Sequence, residues 1–201
     1  MDIIKTKTIG KYRIDIEPYI DPESPREDDN LGTMICFHSR YNLGDKHNYD
    51  HRDYNGWEEM KYAIIKKDDV AIILPLYLYD HSGITMNTTG FSCRWDSGQV
   101  GFIFISKEKI REEYGVKKIT KKLIEKIKTY LINEVNTYDQ YLRGDVYGFR
   151  ITELDENGED VKEVDSCWGY YGIDFSMEEA ESVANHMIKN DKQGQLELDL
   201  K

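Results

Sequence analysis

Between Thr120 and Arg143 the apolar residues Leu123, Ile127, Leu131, Val135, Tyr138 and Leu142 recur every three or four positions. Only an α-helix gathers such a series on one face. Gly144 follows where a left-handed C-cap belongs. A helix of this length has to bury its stripe against something, and the rest of the chain supplies strands. "KYRIDIEPYI" alternates Tyr12, Ile14 and Ile16 with charged neighbours, the period of a half-buried strand. "LGTMICFH", "VAIILPLYLY" and "QVGFIFIS" read as buried strands, with Pro75 demanding an edge position or a bulge in the second. Val146–Leu154 and Val161–Trp168 flank "DENGED", whose Asn157-Gly158 pair favours a hairpin turn.

Short helices complete the pattern. One is expected over Trp57–Lys66, and another runs from a Ser106 cap to Gly115. Ser176 with Glu179 forms a capping box before a C-terminal helix ending near Lys189. The fold class expected is α+β: a mainly antiparallel sheet, one long packed helix and a C-terminal helix. A chain of 201 residues suits one globular domain, taken as 1–190, with a flexible polar tail over 191–201.

A net charge of −11 argues against general nucleic-acid binding, which needs a cationic face. The charge is uneven, however. Cations outnumber acids from Lys107 to Lys128, whereas Asp15–Asp29 and Glu153–Asp165 are acidic, a surface that could imitate nucleic acid. The start "MDIIKTKTIGKYR" is not a signal peptide, and no run approaches a membrane span. Cys36, Cys93 and Cys167 are odd in number and lack a CxxC, which fits reduced thiols in a cytoplasm.

Asp80, His81 and Ser82 stand side by side in "LPLYLYDHSGITM", the three side chains of a hydrolase triad. Consecutive residues cannot readily place a serine on a histidine and that histidine on an acid, and DHSG is no nucleophile elbow. Turn formation by Asp80, Ser82 and Gly83, and likewise by Asp96, Ser97 and Gly98, accounts for both segments. A thiol-dependent alternative pairs His81 with Cys93, with Asp96 orienting the imidazole and Asp80 nearby. A metal alternative uses Cys36 and His38, two residues apart on one strand face, with His47 and His51 as further ligands, though the spacing matches no zinc pattern. Neither GxxxxGK[ST] nor GxGxxG occurs, and no cofactor is expected. Trp95, Trp168, Tyr170 and Tyr171 could stack on a base or sugar, but core packing is the expected role for aromatics in a small sheet protein.

The tail "QLELDL" resembles the Q-L-x-L-x-hydrophobic peptide by which bacterial replication and repair proteins dock on the sliding clamp. Gln195, Leu196, Leu198 and Leu200 would be the contact residues, with Leu200 where that pattern often has Phe. The alternative is a final amphipathic turn packing its leucines on the domain. The blocks "DDNLGTMICFHSRYNLGD", "LPLYLYDHSGITM", "WDSGQVGFIFISKEKIREEYG", "YDQYLRGDVYGFRI" and "DSCWGYYG" resemble a group of small proteins encoded by bacteriophages and related mobile elements. The resemblance covers about Asp29 to Gly172. It implies a bacterial cytoplasm and an accessory role in infection: host takeover or anti-defence by protein binding, with the sliding clamp and a host defence nuclease as partners. It supplies no catalytic residues.

Overall fold

The computed structural model describes the backbone of residues 2–199 and the side chains of 2–191 and 193. Along the chain the elements are β1 (Lys5–Ile9), β2 (Tyr12–Pro18), β3 (Thr33–Cys36), α1 (Trp57–Lys67), β4 (Val70–Asp80), β5 (Ile84–Asn87), β6 (Ser97–Ser106), α2 (Lys107–Tyr114), α3 (Lys121–Leu142), β7 (Val146–Leu154), β8 (Asp160–Tyr171) and α4 (Ile173–Asp199). The class is α+β, with four α-helices and two antiparallel four-stranded sheets among the described residues. Where one domain over 1–190 was expected, contacts group the chain into two compact units, Met1–Pro22 with Gly144–Lys201 and Glu23–Arg143.

The first unit orders its strands β1-β2-β7-β8. Ile14 and Ile16 of β2 meet Phe149 and Ile151 of β7, and Met177, Ala180 and Ala184 of α4 close the same core. The two alanines let the helix approach the sheet closely. The expected two-residue hairpin turn is not the one formed. Asn157 does not take a positive φ; only Gly158 does, at 83°. The Asp155 carboxylate accepts from the N–H groups of Asn157 and Glu159, making a longer, side-chain-stabilised loop.

The start of α4 also departs from the sequence reading. Ser176 does not cap the helix but lies in its first turn, its N–H donating to Gly172 O at 3.1 Å. The helix begins four residues earlier than a Ser176 cap would place it because Gly172, at φ 89°, turns the chain straight out of β8. It continues to Asp199, past the expected end near Lys189. The side chains of the clamp-like peptide, Gln195, Leu196 and Leu198, fall outside the described residues, as does Leu200 entirely.

The second unit orders its strands β3-β6-β4-β5. The stripe on α3 is buried as its period requires, with Ile127, Leu131, Val135 and Tyr138 packed with Met34, Leu76, Met86 and Ile103. Thr120 caps its first turn by accepting from Leu123 N. Ser106 and Gly115 bound α2 as expected. Pro75 is accommodated because β5 pairs only with Tyr77–Asp80. Opposite Pro75, the side of β4 turned away from β6 is therefore locally an edge.

Arg26 fixes the loops before and after β3. Its guanidinium bonds both carboxylate oxygens of Asp45 at 2.8 Å, Glu134 of α3 at 3.0 Å and the carbonyl of Gly32 at 2.8 Å. Burial opposes its charge, but the bonds to Asp45 and Glu134 outweigh burial and hold its pKa above the ordinary value. Asp45 also accepts from Met34 N, so this one cluster ties the loop after β3 back to the start of that strand.

Candidate functional site around His38

The site is built where β4 turns into β5 beside the start of β6. His81, Ser82 and Gly83 form that turn. His81 N donates to Gly83 O at 3.0 Å, and Ser82 takes a left-handed φ of 56°. Ser82 and Gly83 are thus bend-forming, as the turn reading expects, whereas Asp80 is the last residue of β4, paired with Ile84. The corresponding expectation for Asp96, Ser97 and Gly98 needs correcting. Ser97 and Gly98 are the first residues of β6, paired with Tyr79 and Leu78. They extend because the β4–β6 ladder runs further than the apolar run "QVGFIFIS" shows.

Asp80 N donates to Asp96 O at 2.8 Å, which brings the 81–83 turn against the loop at 93–96. There the Cys93 thiol donates to Asp96 Oδ2 at 3.6 Å, and His81 Nδ1 lies 3.6 Å from the same oxygen. The structure therefore gathers His81, Cys93 and Asp96, with the acid between the thiol and the imidazole. A thiol–imidazole nucleophile requires the imidazole next to the sulfur. A carboxylate in that place is too weak a base to take a thiol's proton. The His–Asp distance permits charge attraction but is too long for a hydrogen bond.

Asp80 turns elsewhere, to Arg40 by a hydrogen bond and to His38, whose Nε2 is 3.6 Å from the same Oδ2. His38 Nδ1 accepts from the N–H groups of Arg40 and Tyr41 at 3.2 and 3.3 Å. Those donors leave Nδ1 without a proton and place it on Nε2, facing Asp80. Cys36 and His38 border the same cleft as His47 and His51, but their polar atoms are engaged elsewhere or buried. Cys36 lies in the core cluster with Leu43 and Met34, where burial pushes its thiol up to about 12. His47 is committed as well, Nε2 to Cys36 O at 3.1 Å and Nδ1 to Tyr49 N at 3.3 Å. Among the described residues no group of three or more His, Cys, Asp or Glu side chains could hold a metal ion.

His38 stands between two open clefts. One, of about 380 Å³, is lined by Arg40, Asp80, Trp95 and Asp96. The Trp95 indole at its rim is 95% exposed, which overturns the expectation that this residue is core. The other, of about 700 Å³, is aromatic, lined by Phe37, Tyr41, His47, His51 and Trp57. Phe37 is its centre, with ring centroids 4.9 Å from His47, 5.5 Å from His51 and 6.2 Å from Trp57. Tyr41 stacks on His38 at 5.0 Å. Phe37, Tyr41 and Trp57 were missed as site residues. The signal that could have found them is the density of rings in "FHSRYNLGDKHNYDHRDYNGW", a polar connection too aromatic for a bare loop. Trp168 is elsewhere, on β8, lying over Gly148 and 5.8 Å from Tyr19.

No family model, curated protein or solved structure matches the chain.

Proposed function

We propose that the chain is a protein-binding accessory factor of a bacteriophage or mobile element, acting on host proteins in the bacterial cytoplasm. The observation that supports this reading is Trp95. An indole left almost wholly in water beside Arg40, at the rim of an open cleft, is the kind of residue that dominates interface energies once a partner covers it. The aromatic cleft across His38 offers a second anchor on the same surface. The charge of −11 supports imitation of nucleic acid toward a defence nuclease, a contact that would weaken as salt rises. The "QLELDL" tail supports docking on the sliding clamp.

Two experiments test this. A photo-crosslinker at position 95 in the bacterial host should capture one protein, and that protein, purified, should bind Trp95→Ala about tenfold or more weakly. Unchanged affinity would remove the Trp95 surface from the proposal. Purified sliding clamp should bind the intact chain but not one ending at Gly194. Equal binding, or none by either chain, removes the tail contact.

A small thiol- or metal-dependent hydrolase is the second reading; Cys93 and His81 both reach Asp96, and the thiol route requires the imidazole to move from the carboxylate onto the sulfur. It requires that Cys93→Ala abolish turnover of an activated ester or peptide panel that the wild type hydrolyses.

A further inference from the structure

The segment joining α2 to α3 concentrates positive charge that nothing in the described protein neutralises. The chain has 38 acids against 27 lysines and arginines. Most of its other long cations find acids: Lys5, Lys7, Arg13, Arg26, Arg40 and Arg150 all do. Arg111, Lys117, Lys118, Lys121 and Lys122 are exposed and form no ion pair among the described residues. Glu108, Glu112 and Glu113 lie on the same stretch, yet none of them closes on these cations. The first turn of α3 contains no acid to offset them.

Three of these cations, Arg111, Lys117 and Lys118, line a cavity. A cleft of about 420 Å³ has Val70, Ala71, Ile119 and Ile124 as its apolar surface, and its charged lining is Lys107, Arg111, Lys117 and Lys118. Lys107 is held by Asp69, and the other three are free to meet a ligand. Holding like charges together costs repulsion that a bound anion relieves, and several cations converging on one point are how proteins take up phosphoryl groups.

We propose that this cleft is a binding site for a phosphorylated small molecule, its phosphates on Arg111, Lys117 and Lys118 and its less polar part on Ile119, Ile124 and Val70. A small ligand fits better than a nucleic-acid polymer for two reasons. The cleft is a bounded space of about 420 Å³ between the start of β4, α2, residues 117–119 and the first turn of α3, with no long groove for a polymer to follow. A polymer would also carry its many charges close to a molecule of net charge −11.

The test is titration of the full chain with sodium tripolyphosphate and with adenosine triphosphate at low salt, followed by calorimetry. Both should bind, with affinity falling as salt is added. Lys117→Glu with Lys118→Glu should weaken binding about tenfold or more. A control carrying Lys66→Glu with Lys189→Glu has the same change in net charge on exposed lysines that do not line the cleft, and should bind as the wild type does. Circular dichroism of both variants checks that they are folded. Tighter binding of the nucleotide assigns the apolar surface to its base or sugar, and equal binding assigns the site to the polyphosphate itself. Absence of binding by the wild type, equal losses in the two double variants, or tighter binding of a short single-stranded oligonucleotide than of either small anion would each overturn the proposal.

Discussion

Single residues divide sharply here into those that hold the fold and those left for something else to cover. Arg26 belongs to the first kind, with a side chain only 3% exposed between Asp45 and Glu134. Replacing it by Met leaves two half-enclosed carboxylates facing each other, which costs about 3–5 kcal/mol. Lys cannot reproduce the fork that bonds both oxygens of Asp45, so Arg26→Lys recovers only part of this. Urea unfolding followed by circular dichroism should show the midpoint fall in the order wild type, Arg26→Lys, Arg26→Met. An unshifted midpoint in Arg26→Met would show that the cluster contributes nothing net. None of this was legible in "PESPREDDN", which reads as a polar loop. The partners of Arg26 lie 19 and 108 positions away, a separation at which sequence carries no pairing signal.

At the scale of elements, periodicity read the helices and strands well wherever one face is buried and the other is not. α3, α2, β2, β3, β4 and the β7–β8 hairpin all lie where the apolar pattern places them. β1 and β5 escaped the pattern because they are short edge strands, and β1 is almost wholly exposed. α4 starts early because a glycine turn overrode a capping signal. Gly101 shows what strand packing demands beyond pattern. A Cβ there would lie 1.9 Å from Ile35 O, a backbone atom of the neighbouring strand β3 that cannot rotate away. Gly101→Ala should therefore force β3 and β6 apart and cost about 2–3 kcal/mol or more. Hydrogen exchange should speed up first at Ile35 and Phe102, which face each other across that ladder. Unchanged protection there would refute the close approach.

For the molecule as a whole, charge governs its response to acid. In the first unit, Lys11 holds Glu153 below the usual carboxylate range, Arg13 does so for Asp160, Arg150 for Glu163, and Tyr12 with Lys11 for Asp191. A carboxylate whose folded pKa is depressed contributes stability that is fully present above its unfolded value, about 4, and lost as pH falls through the folded value. Asp160, Glu163 and Asp191 are solvent-exposed and Glu153 partly so, so each contribution is modest and weakened by salt. Thermal midpoints should hold steady from neutrality to about pH 5 and decline below about pH 4, less steeply in high salt. A midpoint independent of pH down to pH 2 would mean these pairs do not form in solution. Sequence by itself determined the α+β class, the long helix and its capped neighbour, the acidic balance with its basic island, and the turn at residues 81–83. It could do so because backbone propensity, apolar period and charge are local properties of a chain. Tertiary structure decided that two sheets form rather than one, and that Asp80 serves Arg40 and His38 while Asp96 stands between Cys93 and His81. It also decided that Trp95 is left in water and that the α2–α3 cations surround a cleft. Those outcomes depend on which distant strands pair and where each loop ends, and that is settled by packing, where residues far apart in the chain compete for the same space.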